Sequence, residues 1–241
     1  MNKIKKIAPI ALLLTSISSL ALADNWNVGA SASYAKIDGS ASDTQFTGNT
    51  SSGTSVAQTR GSKDGDASFP FASIFVEYVK TMDKSFDLVF GLDYVPFKAE
   101  IESMSKADND ISLASSTTTE TPRAGTRKAT LELENYATLY LQPTYKIGGG
   151  TAVYGKVGYI HGDVKINGSN TATGSTINAK DTLNGYTVGL GIQHNLDKNL
   201  FVRLEGNYTD HDTVTATDSL ATKFTADSEM YAAKISIGYS F

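Results

Sequence analysis

Apolar and polar residues alternate with a period of two in eight separate segments of the chain. In each segment one parity carries large apolar side chains, while the other carries small or polar ones, which is typical of a β-strand with two different faces. The segments are Trp26–Tyr34, Ala72–Tyr78, Phe86–Tyr94, Tyr136–Tyr145, Val153–Tyr159, Tyr186–Gln193, Leu200–Tyr208 and Tyr231–Phe241. The pattern therefore predicts an all-β chain of eight strands.

The connections between these segments alternate between two lengths. The tight turns are Thr81–Ser85, Ile147–Gly150 and Asp197–Asn199. The long polar stretches are Asp38–Ser68, Lys98–Lys128, Gly162–Leu183 and Asp210–Ser228. Short turns on one side and long loops on the other are typical of outer-membrane barrels. We predict an eight-stranded antiparallel up-and-down transmembrane β-barrel, with both termini in the periplasm and the long loops outside.

Aromatic residues support this register, because amphipathic rings collect where hydrocarbon meets lipid headgroups. The expected outer ring is Tyr34, Tyr94, Tyr159, Tyr186, Tyr208 and Tyr231. The expected inner ring is Trp26, Tyr78, Phe86, Tyr145, Tyr239 and Phe241. The alternative is a soluble, lipocalin-like barrel with its apolar face inward, which leaves both aromatic rings and the alternating connections without a reason.

The N-terminus predicts export. Met1–Lys6 is basic, Ile7–Leu14 is apolar, and Ala21–Ala23 ends in small residues, so we expect residues 1–23 to be a signal peptide of the general secretory route and residues 24–241 to be the barrel domain. Removing the three lysines of that peptide leaves 18 basic and 25 acidic residues, a formal charge of −7. This balance argues against nucleic acid as a partner. The absence of cysteine excludes disulfides and thiolate metal sites.

The last strand ends in Lys234-Ile-Ser-Ile-Gly-Tyr-Ser-Phe241, with a glycine before two aromatic residues. This ending resembles the C-terminal assembly signal of bacterial outer-membrane proteins. Ala152–Tyr159 and Asn199–Tyr208 are similar to strands of the opacity-type barrels and of the transmembrane domain of outer-membrane protein A. The resemblance implies an assembly signal at Gly238, Tyr239 and Phe241. It also implies the barrel-assembly machinery, periplasmic chaperones, the lipid bilayer and lipopolysaccharide as partners.

Nine charged residues have the parity of the barrel interior, six of them acidic and three basic. They are Glu77, Asp87, Asp93, Glu132, Glu134, Lys156, Arg203, Glu205 and Lys234. Charges in a narrow lumen must be paired or hydrated. We favour a charge network of Glu77, Asp87, Lys156, Arg203, Glu205 and Lys234 that fills the lumen, with Arg203 and Glu205 facing Lys234. The alternative is a narrow, cation-preferring water path.

Catalysis and metal binding find little support in the sequence. The three histidines are His161, His194 and His211, and none has the neighbours that a lipid A deacylase requires. Asp210-His211-Asp212 predicts a turn or rim rather than an active site. Acidic residues expected near the outer rim, which could attract a hard cation, are Asp93, Asp108, Asp110, Glu132 and Glu134. They lack regular ligand spacing, so we predict no metal and no cofactor.

Function in such a scaffold is expected in the loops, whereas the strands serve stability. The leading hypothesis is a non-enzymatic surface protein that supports envelope integrity or adhesion. The alternative is a narrow solute or ion channel of porin type, and a lipid-modifying enzyme ranks third. Ser/Thr-rich loops do not identify the extracellular partner.

Overall fold

The computed structural model describes residues 25–49, 54–59, 63–108, 125–171, 175–217 and 223–241, and the signal-peptide prediction lies outside these ranges. The strands are β1 (Asn25–Asn49), β2 (Thr54–Thr59), β3 (Lys63–Thr81), β4 (Phe86–Tyr94), β5 (Ala99–Asp108), β6 (Gly125–Gly148), β7 (Thr151–Asn170), β8 (Ser175–Asn195), β9 (Leu200–Thr217) and β10 (Lys223–Ser240). Within the described ranges, no helix has the length and apolar character needed to cross a membrane.

Eight of the strands form a closed antiparallel ring in the order β1, β3, β4, β6, β7, β8, β9, β10, and β10 pairs back onto β1. The remaining two lengthen this ring: β2 pairs with β1, and β5 pairs with β6. The predicted all-β, up-and-down barrel is therefore confirmed. Closure leaves no free edge along the ring where all eight strands are paired.

The strands are longer than the alternating segments predicted. The β7–β8 ladder runs without a break from the pair Thr151–His194 to the pair Asn170–Ser175. The predicted loop Asp38–Ser68 consists mostly of β1, β2 and the start of β3. The sequence pattern missed these extensions because they are rich in serine, threonine and aspartate, and few large apolar residues mark the strand.

Two rings of aromatic side chains divide the wall into two parts. Tyr159 and Tyr186 lie edge to face on β7 and β8 with centroids 5.5 Å apart, and Tyr208 and Tyr231 are 5.2 Å apart on β9 and β10. At the opposite end, the ring centroids of Trp26 and Tyr78 are 5.3 Å apart. We call the wall between the two predicted rings the lower barrel, and the wall beyond the outer ring the upper barrel.

A bulge in β6 corrects two of the predicted lumen residues. The register shifts between Glu134 and Ala137, and Asn135 takes a left-handed φ of 51°. The extra residue reverses the parity of the strand above it, so that Leu133 points inward and is 2% exposed. Glu132 and Glu134 consequently lie on the outside of the upper barrel, where both pair with Lys98. Their assignment to the lumen was wrong.

The interior of the upper barrel is an apolar core. Side chains from several strands converge there, and most are buried almost completely. They are Ala35, Phe69, Val95, Ala99, Ile101, Leu133, Tyr136, Ile160, Leu183 and Met230. In the lower barrel the large apolar residues lie on the outside instead, and Leu139 and Leu190 are examples that are exposed on its outer face.

Candidate functional site

The centre of the lower lumen is occupied by one buried ion pair. The two terminal nitrogens of Arg203 on β9 donate to the two carboxylate oxygens of Glu77 on β3, at 2.5 and 2.7 Å. Glu77 also accepts from Asn27 Nδ2 at 2.9 Å and from Tyr140 Oη at 2.6 Å. The ring of Phe201 lies 4.6 Å from the guanidinium carbon. A fully buried carboxylate is thus saturated with donors, which is the arrangement that a dry interior requires.

A second layer of charge lies next to this pair. Lys156 bonds Glu205 at 2.6 Å, and Tyr154 Oη donates to the same carboxylate at 2.8 Å. Lys234 bonds Asp93 at 2.9 Å. Lys234 stands beside Glu205 in the β9–β10 register, yet its ion pair crosses the lumen to β4. Arg203 and Glu205 were predicted to face Lys234. Glu205 is indeed the neighbour of Lys234 in the β-ladder, but Lys234 forms its ion pair with Asp93.

The end of the barrel near the chain termini carries an ion pair of which the sequence predicted only one member. Lys146 bonds Asp87 at 2.8 Å. Lys146 lies one residue beyond the predicted fourth segment, although it shares the parity of the lumen-facing Tyr140 and Gln142. Extending that parity by one step would have found it. With this lysine, the described lower lumen contains four acids and four bases in four pairs, rather than an acidic excess.

Glycines create the space for the aromatic rings of this network. Each of four lumen-facing glycines lies against a ring that a Cβ atom would approach to 2.2 or 2.3 Å, a severe overlap. The pairs are Gly29 with Phe75, Gly91 with Tyr140, Gly191 with Tyr154, and Gly238 with Phe201. Gly238 of the predicted assembly signal therefore also has a packing role inside the barrel.

The remaining space in the lumen is small. A cavity of about 30 Å³ lies among Asp93, Lys156, Glu205 and Lys234, with Tyr136 above it. Such a volume holds about one or two water molecules. Glu205 Oε1 has no protein hydrogen-bond partner, so an enclosed water is its natural donor.

The other two residues of the predicted assembly signal lie where the last strand closes the ring beside the first. The backbone N–H of Phe241 donates to the carbonyl of Trp26 at 2.8 Å. The rings of Tyr239 and Phe241 lie edge to face with centroids 5.3 Å apart. Both rings face outward and are about half exposed. They are thus available on the outer surface of the last strand, and their role in assembly stays a prediction.

The three histidines separate into one buried and two exposed side chains. His161 and His194 bond Asn184 and Thr151 on the outer surface. His211 lies above the charged layers, with Ser228 Oγ at 3.3 Å from Nδ1 and Tyr136 Oη at 3.3 Å from Nε2.

Burial lowers the pKa of His211 below its ordinary value, although the Ser228 backbone and the neighbouring Asp210 and Asp212 oppose that shift. A catalytic triad requires a group that orients the base and a substrate space beside the nucleophile. Here the nitrogen away from Ser228 meets Tyr136, a member of the apolar core. The contact with Tyr136 therefore supplies the group that orients the base of a triad, but it does not supply a substrate space.

Of the acidic residues suggested as an outer-rim cluster, the three whose side chains the structure describes do not come together. Asp93 is paired with Lys234 inside the lumen, whereas Glu132 and Glu134 lie outside and face Lys98. Asp110 lies outside the described residues. Among the described side chains, no group of three His, Cys, Asp or Glu residues is arranged to hold a metal ion.

Comparisons with known proteins agree with this architecture. The model of the outer membrane protein beta-barrel domain family matches residues 9–241. The outer membrane protein OprG from Pseudomonas aeruginosa superposes with a TM-score of 0.50 at 14% identity, covering 91% of this chain and 96% of that one.

Two further solved structures match this chain at lower TM-scores. The outer membrane protease OmpT from Escherichia coli has a TM-score of 0.45 at 12% identity, covering 93% and 100% of the two chains. The attachment invasion locus protein Ail of Yersinia pestis has a TM-score of 0.43 at 13% identity, covering 89% and 98%. No curated relative matches the sequence.

Proposed function

Because the chain belongs to the outer membrane protein beta-barrel domain family, we propose that it is a non-enzymatic surface protein of the bacterial outer membrane. It reaches that membrane by the general secretory route, with both termini in the periplasm, and it acts through the outside of its upper barrel. One observation carries this proposal: the ion pairs and aromatic rings fill the lower lumen, and an apolar core fills the upper one. The exterior is then the surface left for function.

The filled lumen is the argument against the channel alternative. A water path would have to pass the bidentate Arg203–Glu77 pair and then the apolar core around Leu133 and Ile160. Breaking the Arg203–Glu77 pair to open this path leaves buried charges unpaired, which costs roughly 3 to 5 kcal/mol. An eight-stranded barrel is only wide enough to be filled by its own side chains.

The exterior of the upper barrel has the character of a soluble protein surface. Lys98, Lys180 and Asp163 lie there in ion pairs, and Lys36 pairs with Asp38 beside the outer aromatic ring. The long strands β1, β7 and β8 carry Lys36, Asp163 and Lys180, and Lys98 lies in the connection just before β5, an arrangement that suits a surface in contact with another cell. This is the support for a role in adhesion or envelope integrity.

Planar-bilayer recording tests the closed lumen. We expect the refolded wild type to show near-zero conductance. We expect the paired variant Glu77→Ala/Arg203→Ala to stay closed as well, because the Lys156–Glu205 and Lys234–Asp93 pairs and the apolar core above them still fill the path. A large water-filled porin in the same bilayer shows that the assay detects an open lumen. Stable, ion-selective conductance in the wild type would establish the channel alternative instead.

A cell assay tests the surface role. Cells that produce the wild type or the variant Lys98→Glu/Lys180→Glu are compared for binding to collagen-coated or laminin-coated wells, and for growth in detergent. We expect the variant to lose adhesion or detergent resistance, because it reverses two charges on the upper wall. Lys84→Glu, in the periplasmic turn, is the matched control and should behave as wild type. Equal behaviour of a deletion strain and the wild type in both assays would refute the proposal.

A further inference from the structure

The outer wall has a depression formed by two small residues. Leu190, Gly206, Ala233 and Tyr34 lie in one row across β8, β9, β10 and β1. Leu190 and Tyr34 at the two ends project strongly, with 75% and 62% of their surface exposed. Between them, a Cβ atom at Gly206 would meet no atom within 4 Å. The row therefore has raised ends and a hollow centre.

The neighbouring rows turn this hollow into a groove of about 670 Å³. Above it, the rings of Tyr208 and Tyr231 lie 5.2 Å apart and form the upper edge. Below it, Leu204 and Ile235 are paired in register and form the lower edge. The groove is shallow and open on its outer side, so it can cradle one flank of a chain but cannot enclose a ligand.

The position of the groove identifies its surroundings. Tyr34, Tyr208 and Tyr231 belong to the outer aromatic ring, which lies where headgroups meet hydrocarbon. The groove faces away from the barrel, and its lining side chains other than Lys36 and Asn207 are apolar or aromatic. What meets this face is therefore the upper part of an outer-leaflet acyl chain.

We propose that this groove binds one acyl chain of lipopolysaccharide, with the chain lying over Gly206 and Ala233 beneath the two tyrosines. A shaped recess offers an acyl chain more close van der Waals contacts than a flat wall does, and such packing is what favours one association over another inside a bilayer. The proposal requires the membrane location of the barrel. It does not require the adhesion or envelope role.

Lys36 stands at the upper end of the groove, where a glycolipid phosphate would lie. Its ammonium group already bonds Asp38 at 2.6 Å and lies 3.8 Å from Asp66. One cation between two carboxylates offers an anionic headgroup little net attraction. The acyl chain should therefore carry the binding, and Lys36→Gln should weaken it less than filling the groove does.

The experiment fills the groove and counts the lipid that stays bound. Wild type, Gly206→Leu and Gly155→Leu are incorporated into vesicles that contain rough lipopolysaccharide, extracted in mild detergent and examined by native mass spectrometry. Gly155 pairs with Leu190 on the far side, and a side chain there meets only ordinary contacts, so this variant is the matched control. Heat-modifiable migration on gels confirms that each variant is folded.

We expect one lipopolysaccharide to remain on wild type and on Gly155→Leu, and a drop of roughly fivefold or more on Gly206→Leu. Equal retention by all three proteins would overturn the proposal. An equal loss in both glycine variants would also overturn it, because it would indicate general packing of lipid on the wall. A protein dimer that disappears in Gly206→Leu, with lipid unchanged, would assign the groove to a second copy of the chain.

Discussion

The lower and upper barrels are made by the same strands but have opposite faces. In the lower barrel, β1 directs Ser31 and Ser33 inward and Ala30 outward, whereas slightly higher it directs Ala35 inward and Lys36 outward. The alternation of side chains continues without interruption, and only the chemistry assigned to each face is exchanged. The surroundings outside the wall decide the assignment: hydrocarbon below the outer aromatic ring and water above it.

The two parts of the barrel are therefore stabilised by different interactions. Below the ring, the interior is polar and must satisfy its own charges, since lipid offers no hydrogen bonds. Above the ring, burial of Phe69, Leu133 and Ile160 follows the rules of a soluble core. A change that harms one part should therefore leave the other largely intact, and four variants test that separation.

The largest effect is expected from Arg203→Met. It leaves the fully buried carboxylate of Glu77 without its ion-pair partner, which costs about 3 to 5 kcal/mol of unfolding free energy. Urea unfolding in lipid vesicles measures it. Lys146→Met removes the half-exposed partner of Asp87 near the chain termini and should cost less, about 1 to 2 kcal/mol, because water can reach this pair. Equal losses in the two variants would show that burial does not set the value of these pairs.

A smaller effect, about 3 kcal/mol, is expected from Leu133→Ala in the upper core. Leu139→Ala on the same strand is the control, because its side chain is 65% exposed toward lipid. Hydrogen exchange should show faster opening of the amides of Val164 and Leu183 in the first variant. The amides of the lower barrel should keep wild-type rates. Uniform acceleration through both parts would contradict their independence.

Asn135→Val is expected to cost about 1 to 2 kcal/mol, because a β-branched side chain is strained at the left-handed φ of the bulge. Asn135→Gly loses the same bond to Asp163 but accepts that backbone conformation. It should therefore be close to wild type in thermal unfolding. If both variants are equally unstable, the side-chain bond matters and the backbone conformation does not.

The smallest effect concerns pH. The lowered pKa of His211 means that, as pH falls through its ordinary value of 6.5, the unfolded chain binds a proton more readily than the folded one. The stabilisation present above that pH is therefore lost below it, by less than about 1 kcal/mol at pH 5.5. Urea unfolding at pH 8 and 5.5 measures this loss. His211→Gln should remove the dependence, whereas His161→Gln at an exposed position should keep it.

The lower barrel could be predicted from sequence because its outward-facing positions meet lipid, so the residues at every second position of each strand are mostly large and apolar. That rule located all eight ring strands and placed Glu77, Lys156 and Arg203 in the lumen. In the upper barrel the outer parity is polar and the pattern weakens, so the extensions were interpreted as loops. The bulge at Asn135 adds a single residue within a polar stretch, so the alternation of apolar and polar residues does not reveal it.

The partners of the lumen charges were harder to predict than their positions. Lys234 and Asp93 are far apart in sequence and lie on strands that are not neighbours in the ring. Register along the chain describes adjacent strands, whereas a contact across the lumen depends on the diameter and tilt of the finished barrel. Strand parity therefore gives seven of the eight paired charges, whereas Lys146, the exclusion of Glu132 and Glu134, and the choice of partners needed the structure.

The ion pair between Arg203 and Glu77 also has a consequence for the order of folding. It joins β9 to β3, which touch only when the sheet has curled and β10 has met β1. The ring of Phe201 likewise needs the space beside Gly238 on the closing strand. Pairing of Glu77 with Arg203 therefore has to wait for ring closure, whereas the Lys146–Asp87 pair joins the neighbouring strands β6 and β4 and can form before it.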